Sequence, residues 1–279
     1  MRALPLPGVT SSQVLSTCLA AVTDQGFHGR LSAISAQLGL DAKNYDDQAN
    51  NETLNLVPRV NSVGAVSKAE LISLYSDHLV NGVARPYYDK IKTAAPNQKC
   101  PLCGVGAVAV LDHHLPKTKY PNLSIVPENL VPACRDCNDI KKARYPKCAE
   151  EQTLHPYYDS RLITVPWLKA TLASSAPPAF VYSVKPPANW PEVDQRRVQR
   201  HFTICGLAAT FTSNANDELS PLKHDLLLLH TRRGASAVKA HLARRAVNYS
   251  GRPNSWQFAM YQELASNSWF VSGGFKQIK

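Results

Sequence analysis

Two Cys-x-x-Cys pairs, Cys100-Pro101-Leu102-Cys103 and Cys134-Arg135-Asp136-Cys137, constrain the fold of this chain more than any other feature. Each pair is a short knuckle from which two thiolates reach one ion. Four thiolates at about 2.3 Å form the usual tetrahedral shell of structural zinc. Cys100, Cys103, Cys134 and Cys137 are therefore expected to hold one Zn²⁺, and the segment between them has to fold back on itself. Seven cysteines, four of them paired in this way, suit a reducing compartment where thiols bind metal better than a secreted disulfide framework. Cys18, Cys148 and Cys205 are left over as ordinary thiols.

The N-terminal stretch lacks a basic region followed by an apolar run and a small-residue cleavage site, and no apolar run reaches the ~18 residues that would span a bilayer. A cytoplasmic protein without a membrane partner is the expectation. With 279 residues, 44% of them apolar, the chain has enough material for a buried core.

Around the cysteines the pattern is largely helical. Ser67-Lys68-Ala69-Glu70 is a capping-box signature, and Leu71, Leu74, Tyr75, His78 and Leu79 follow at helical spacing. Arg85-Pro86-Tyr87-Tyr88-Asp89 opens a second helix, since proline is tolerated in a first turn. Residues 40 to 65 show no clear period and read as loop. Beyond the cysteines, prolines bracket a β-prone run from Phe180 to Val184, and helices are expected over 192–211, 221–231, 234–248 and 254–265. The expected class is a mostly helical α+β protein. An N-terminal helical region (1–98) would precede a zinc-stapled core (99–160), a Pro-rich connector with a short strand (161–191) and a basic C-terminal helical region (192–279).

The net charge of +10 is unevenly distributed. Residues 1–98 carry eight basic and eight acidic side chains, residues 99–160 eight and seven, and residues 161–279 fifteen and six. Such a C-terminal excess suits a polyanionic partner, because neutralising phosphates releases condensed counterions. A solvated face that serves solubility is the competing account of the same charge.

Thirty residues separate Cys103 from Cys134, more than a simple ribbon requires. A β-prone run from Ala107 to Leu111 delivers Asp112, His113 and His114, and the segment after Arg135 reads as a short helix with Cys137 and Asn138 in its first turn. A hairpin and a helix clamped by one zinc would bring Asp112 and Asn138 together. The segments Leu111-Asp112-His113-His114-Leu115-Pro116-Lys117, Pro127-Glu128-Asn129-Leu130-Val131-Pro132 and Cys134-Arg135-Asp136-Cys137-Asn138, with Lys141, resemble the HNH endonuclease motif of the ββα-metal fold. It is the variety with four zinc-binding cysteines and with Asn in place of the third His. The resemblance covers about residues 99 to 145.

That resemblance implies roles at matching positions. Asp112 and Asn138 resemble the oxygen ligands of a catalytic Mg²⁺ or Mn²⁺, a hard-donor pair unlike the thiolate site. His113 resembles the general base that activates water, and Asn129 the middle Asn, which orients the loop or the histidine. The register to Pro116 selects His113, whereas strand alternation would place His114 on the face of Asp112, so both are candidate catalytic groups. Lys117, Lys119, Lys141, Lys142 and Arg144 flank the site as candidate phosphate contacts, the alternative being a solvated helix face.

The expected function is metal-dependent hydrolysis of DNA phosphodiesters, in a setting such as bacterial anti-phage defence or restriction, with a regulatory protein such as an ATPase as a candidate partner. A non-catalytic, zinc-stapled nucleic-acid-binding module and an RNA-directed nuclease are the alternatives.

Overall fold

The computed structural model describes residues 1–279 and shows a mostly helical α+β protein with three two-stranded sheets. The chain forms two compact units, one of Arg2–Ser160 and one of Arg161–Lys279 with Met1. No helix is long and apolar enough to cross a membrane.

The first unit starts with α1 (Ser11–Ala20), whose N-cap Thr10 and Gln13 form a capping box, and α2 (Gln25–Ala33), capped by the Asp24 carboxylate. Next comes α3 (Ser35–Asn50), in the stretch where the sequence pattern suggested loop. Its buried residues Leu38, Ala42, Tyr45 and Ala49 recur at helical spacing, and Asn44, Asp46 and Asp47 between them mask the period. A two-residue hairpin, β1 (Ser62–Val63) and β2 (Val66–Ser67), turns at Gly64, where φ is +52°. The expected capping box is formed: the Ser67 hydroxyl accepts from the Glu70 amide, and the Glu70 carboxylate accepts from the Ser67 amide. It opens α4 (Lys68–Ser73), which widens into a π-helical turn over Leu74–Val80 before α5 (Arg85–Thr93) with Pro86 in its first turn.

The cysteine-framed segment adds β3 (Val110–His113), β4 (Leu130–Ala133) and α6 (Arg135–Lys141). The strand begins three residues later than Ala107, which instead forms an isolated bridge with Lys99. Leu111, Ile125 and Leu130 of this segment share one core with Val14, Leu31, Leu71 and Tyr88. Residues 1–98 and 99–160 are thus a single packed body, because the small ββα segment has too little apolar surface to close alone.

In the second unit α7 (Ser160–Ile163) leads into an antiparallel hairpin, β5 (Leu168–Ala173) with β6 (Ala179–Val184). The buried residues of the hairpin alternate, and it packs on α9 (Leu207–Val247) and α10 (Trp256–Ser266), after α8 (Glu192–Ile204). The connector expected over 161–191 is part of this core, with Trp167, Phe180 and Tyr182 buried. Of the helices expected over 192–211, 221–231 and 234–248, the break before the last is kept at Gly234 and the first two are redistributed. Gly206, at φ +60°, separates α8 from α9, which runs through Pro221 between the buried Leu219 and Leu222 and breaks its helical geometry only at Gly234 (φ +74°).

Candidate metal and nuclease site

The four sulfurs of Cys100, Cys103, Cys134 and Cys137 lie within 4.8 Å of one another, and all four residues are buried. The Cys103–Cys134 sulfur separation is 3.9 Å, close to the edge of about 3.8 Å that a tetrahedron with 2.3 Å bonds requires. The knuckles are held from within. The Val105 and Gly106 amides each point at the Cys103 sulfur at 3.4 Å, and the Cys137 amide at the Cys134 sulfur at 3.5 Å. Gly106 has no room for a side chain, since a Cβ there would sit 2.7 Å from the Cβ of Cys134 and 2.8 Å from its sulfur. Mutual hydrogen bonding splits the thiols, holding Cys103 well below its usual range and Cys100 well above it. This is a four-cysteine zinc-binding cluster.

Cys134 is also the N-cap of α6. The first turn of that helix therefore starts at a cluster ligand and carries Asn138 to the wall of a cleft of about 440 Å³. Asp112, His113, Pro116, Lys117, Thr118, Asn138, Asp139 and Lys142 are among its lining residues. Antiparallel pairing of β3 with β4 sets Asp112 opposite Val131 and His113 opposite Leu130.

His113 is buried, with Nε2 at 2.8 Å from the Ser124 carbonyl oxygen. A carbonyl can only accept, so Nε2 carries the proton and Nδ1 of the neutral ring is the acceptor. Burial lowers the imidazole pKa to about 3, against the opposing pull of the Ser124 carbonyl and with a smaller lowering from Lys117 and Lys141. Tyr75 closes one side of the ring, with centroids 4.5 Å apart in an edge arrangement, and donates its hydroxyl to the Leu111 carbonyl. The Lys117 ammonium lies 4.3 Å from the Tyr75 ring centre.

Asn129 is completely buried and acts as a clamp. Its Oδ1 accepts from the Leu115 amide at 2.7 Å, and its Nδ2 donates to the carbonyls of Leu115 and Leu123 at 3.0 and 3.2 Å. Its backbone carbonyl accepts from the His114 amide and so extends the β3–β4 ladder. The His114 ring turns the other way and packs on His155, with centroids 4.1 Å apart, outside the cleft lining. His155 belongs to the aromatic turn after the cysteine segment and lies 2.9 Å from the Tyr45 hydroxyl.

Lys141 departs from its expected place at the surface. Its side chain is buried, with the ammonium 3.0 Å and 3.2 Å from the two Asp112 oxygens and 2.6 Å from the His113 carbonyl. The pairing follows from the short helix, which turns this position inward on the face of Cys137 and stops at Lys142, where φ is +52°. Lys142 is exposed on the cleft and Lys117 half-buried there, while Lys119 and Arg144 are exposed beside it. Tyr75 and the Ser124 carbonyl had no signal in the sequence, the first lying outside the cysteine frame and the second acting through its backbone.

Asp112 and Asn138 offer the hard oxygen donors that a divalent cation takes, in a cleft open to solvent. The Lys141 ammonium neutralises the one carboxylate of that pair.

A search of curated proteins finds similarity to Protein ea31 of Escherichia phage lambda, 29% identical over 297 residues that cover 98% of this chain and 100% of that protein. No protein-family profile matches the chain, and no solved structure matches it. A zinc-binding cluster and a phage-encoded relative are compatible with a nuclease or a nucleic-acid-binding module.

Proposed function

We propose that this protein is a metal-dependent endonuclease of the HNH type that hydrolyses DNA phosphodiester bonds. The observation that carries the reading is the anchoring of His113 Nε2 on the Ser124 carbonyl, in the same cleft as Asp112 and Asn138. With its proton fixed on Nε2 and burial keeping the ring neutral, His113 offers Nδ1 to the proton of an attacking water. Asp112 and Asn138 would hold a Mg²⁺ or Mn²⁺ ion, which when bound supplies Lewis-acid stabilisation of charge on the phosphoryl and leaving oxygens. Asn129 keeps the loop between the strands, and with it the Ser124 carbonyl, in register behind the base. Lys117 and Lys142 at the cleft meet the phosphate backbone, and the basic second unit adds sequence-independent affinity. The lambda relative supports a phage-related setting, in which a defence or restriction role with a regulatory partner such as an ATPase would fit.

One observation favours a second reading. The Lys141 ammonium already occupies Asp112, as it would in a non-catalytic module that only binds nucleic acid. Plasmid incubated with the protein and Mg²⁺ or Mn²⁺ separates the two. Cleavage is expected, with His113→Ala losing at least the ~10² of a base step and Asp112→Ala losing the metal-dependent reaction. Cleavage that survives both substitutions rules out this site, and retained binding without cleavage selects the module. Parallel reactions on single- and double-stranded RNA test the RNA-directed alternative.

A further inference from the structure

A second cavity of the first unit is distinct from the cleft of Asp112 and Asn138. It measures about 620 Å³ and lies among α1, α3, α4 and the loop of residues 121–128. That volume falls in the range of small-molecule sites, which are mostly apolar with a few placed polar groups. The floor here is Leu15, Leu19, Leu38, Leu71, Leu74 and Ile125.

The polar groups are biased toward acceptors. Glu128 and Asp46 both line the cavity, and the two carboxylates feel one another, Asp46 adding to the burial that raises the Glu128 pKa. Both already accept neutral donors, the Ser11 hydroxyl at 3.2 Å and its own backbone amide for Glu128, and the Tyr158 hydroxyl at 2.7 Å for Asp46. Lys43 is the cation of the lining, and its ammonium is engaged by Asp47 at 2.6 Å. Asn122 stands in the same wall with its Nδ2 fixed on Asp41 at 2.8 Å, an orientation that leaves its buried Oδ1 without a hydrogen-bond partner. An unpaired buried acceptor costs free energy, and a ligand donor relieves that cost.

An apolar floor beneath two carboxylates, of which only Asp46 feels the Lys43 charge, and a spare amide oxygen matches one chemical class. We propose that this cavity is a binding site for a small apolar amine, its hydrocarbon body on the leucine floor and its ammonium between Glu128 and Asp46. An alcohol of the same shape gains the floor without the charge, and a carboxylate of the same shape meets repulsion. The proposal does not rest on the nuclease reading, although Ser124, whose carbonyl anchors His113, also lines this cavity.

The test uses the full zinc-loaded chain and phenethylamine, 2-phenylethanol and phenylacetate as probes, with affinities taken from calorimetry and from the amide resonance of Gly39 in the cavity wall. The amine is expected to bind at least tenfold tighter than the alcohol, and phenylacetate not measurably. Glu128→Gln should erase the tenfold preference while leaving alcohol binding and the melting temperature unchanged. Ala36→Trp, at an exposed position of the lining, should block both amine and alcohol without unfolding the protein. Equal affinity for amine and alcohol, a preference that survives Glu128→Gln, or no amine binding at millimolar concentration would each overturn the proposal. So would capture of a Leu-Lys peptide in place of the amine, which would reassign the cavity to a protein partner.

Discussion

The cysteine cluster and the cleft beside it share α6, yet they are built on opposite principles. The cluster is pre-organised for its ion: four sulfurs already stand near tetrahedral spacing, backbone amides point at two of them, and Gly106 leaves no slack. In the cleft, the protein's own cation sits on the carboxylate, and the open side is lined by lysines. A structural metal site is built for permanence, whereas the cleft satisfies its buried carboxylate with an internal ion pair. Each half of the contrast can be attacked separately.

The largest effect is expected from the cluster. Cys134→Ser removes a ligand and weakens the cap of α6 together, and zinc binding in small structural sites is worth ~10–16 kcal/mol. The variant should purify without stoichiometric zinc and lose cooperative melting of the first unit, as read by metal analysis and circular dichroism. A variant that melts like the parent would show that the cluster is dispensable. Next comes the cleft's own cation. Lys141→Met leaves the Asp112 carboxylate buried without its partner, and breaking a buried pair in this way costs about 3–5 kcal/mol. Zinc content should stay full while the denaturation midpoint falls, and adding Asp112→Asn should recover part of the loss.

Smaller effects sharpen the comparison. Asn129→Ala strands the Leu115 amide and two carbonyls, at about 1–3 kcal/mol for a buried group left unpaired. Hydrogen exchange should rise first in residues 114–124 and leave the knuckles protected. Gly106→Ala forces a methyl group against Cys134 and should cost about 1–3 kcal/mol, as overpacking does. It should appear as faster zinc loss to a chelator with the cleft geometry retained, whereas an unchanged rate would mean that the knuckle can yield.

The parts legible in the sequence were those written locally. The Ser67–Glu70 capping box, the run from Phe180 to Val184, the helix after Arg135 and the cysteine knuckles all formed, because each depends on residues a few positions apart. What escaped depends on distance or on context. The period of α3 is carried by Ala42, Tyr45 and Ala49 among polar neighbours, and apolar packing carries α9 through Pro221. At the candidate site, the motif singled out Asp112, His113 and Asn138, and all three line one cleft. The inward turn of Lys141 could not, since an exposed and a buried lysine look alike until the strand 29 residues earlier is placed against it. The backbone carbonyl that orients His113 belongs to Ser124, whose side chain has an unrelated bond to Leu71.

The contact of Tyr75 with His113 bears on how portable the site is. The ring that shields the imidazole comes from the π-helical turn over Leu74–Val80, outside the cysteine frame, and its hydroxyl is tied back to β3. A fragment cut at residues 99 and 145 would keep its zinc ligands but leave that edge of His113 bare to water. The cysteine-framed segment is thus a graft that lives on its host: the metal makes it a shape, and the N-terminal helices make that shape a site.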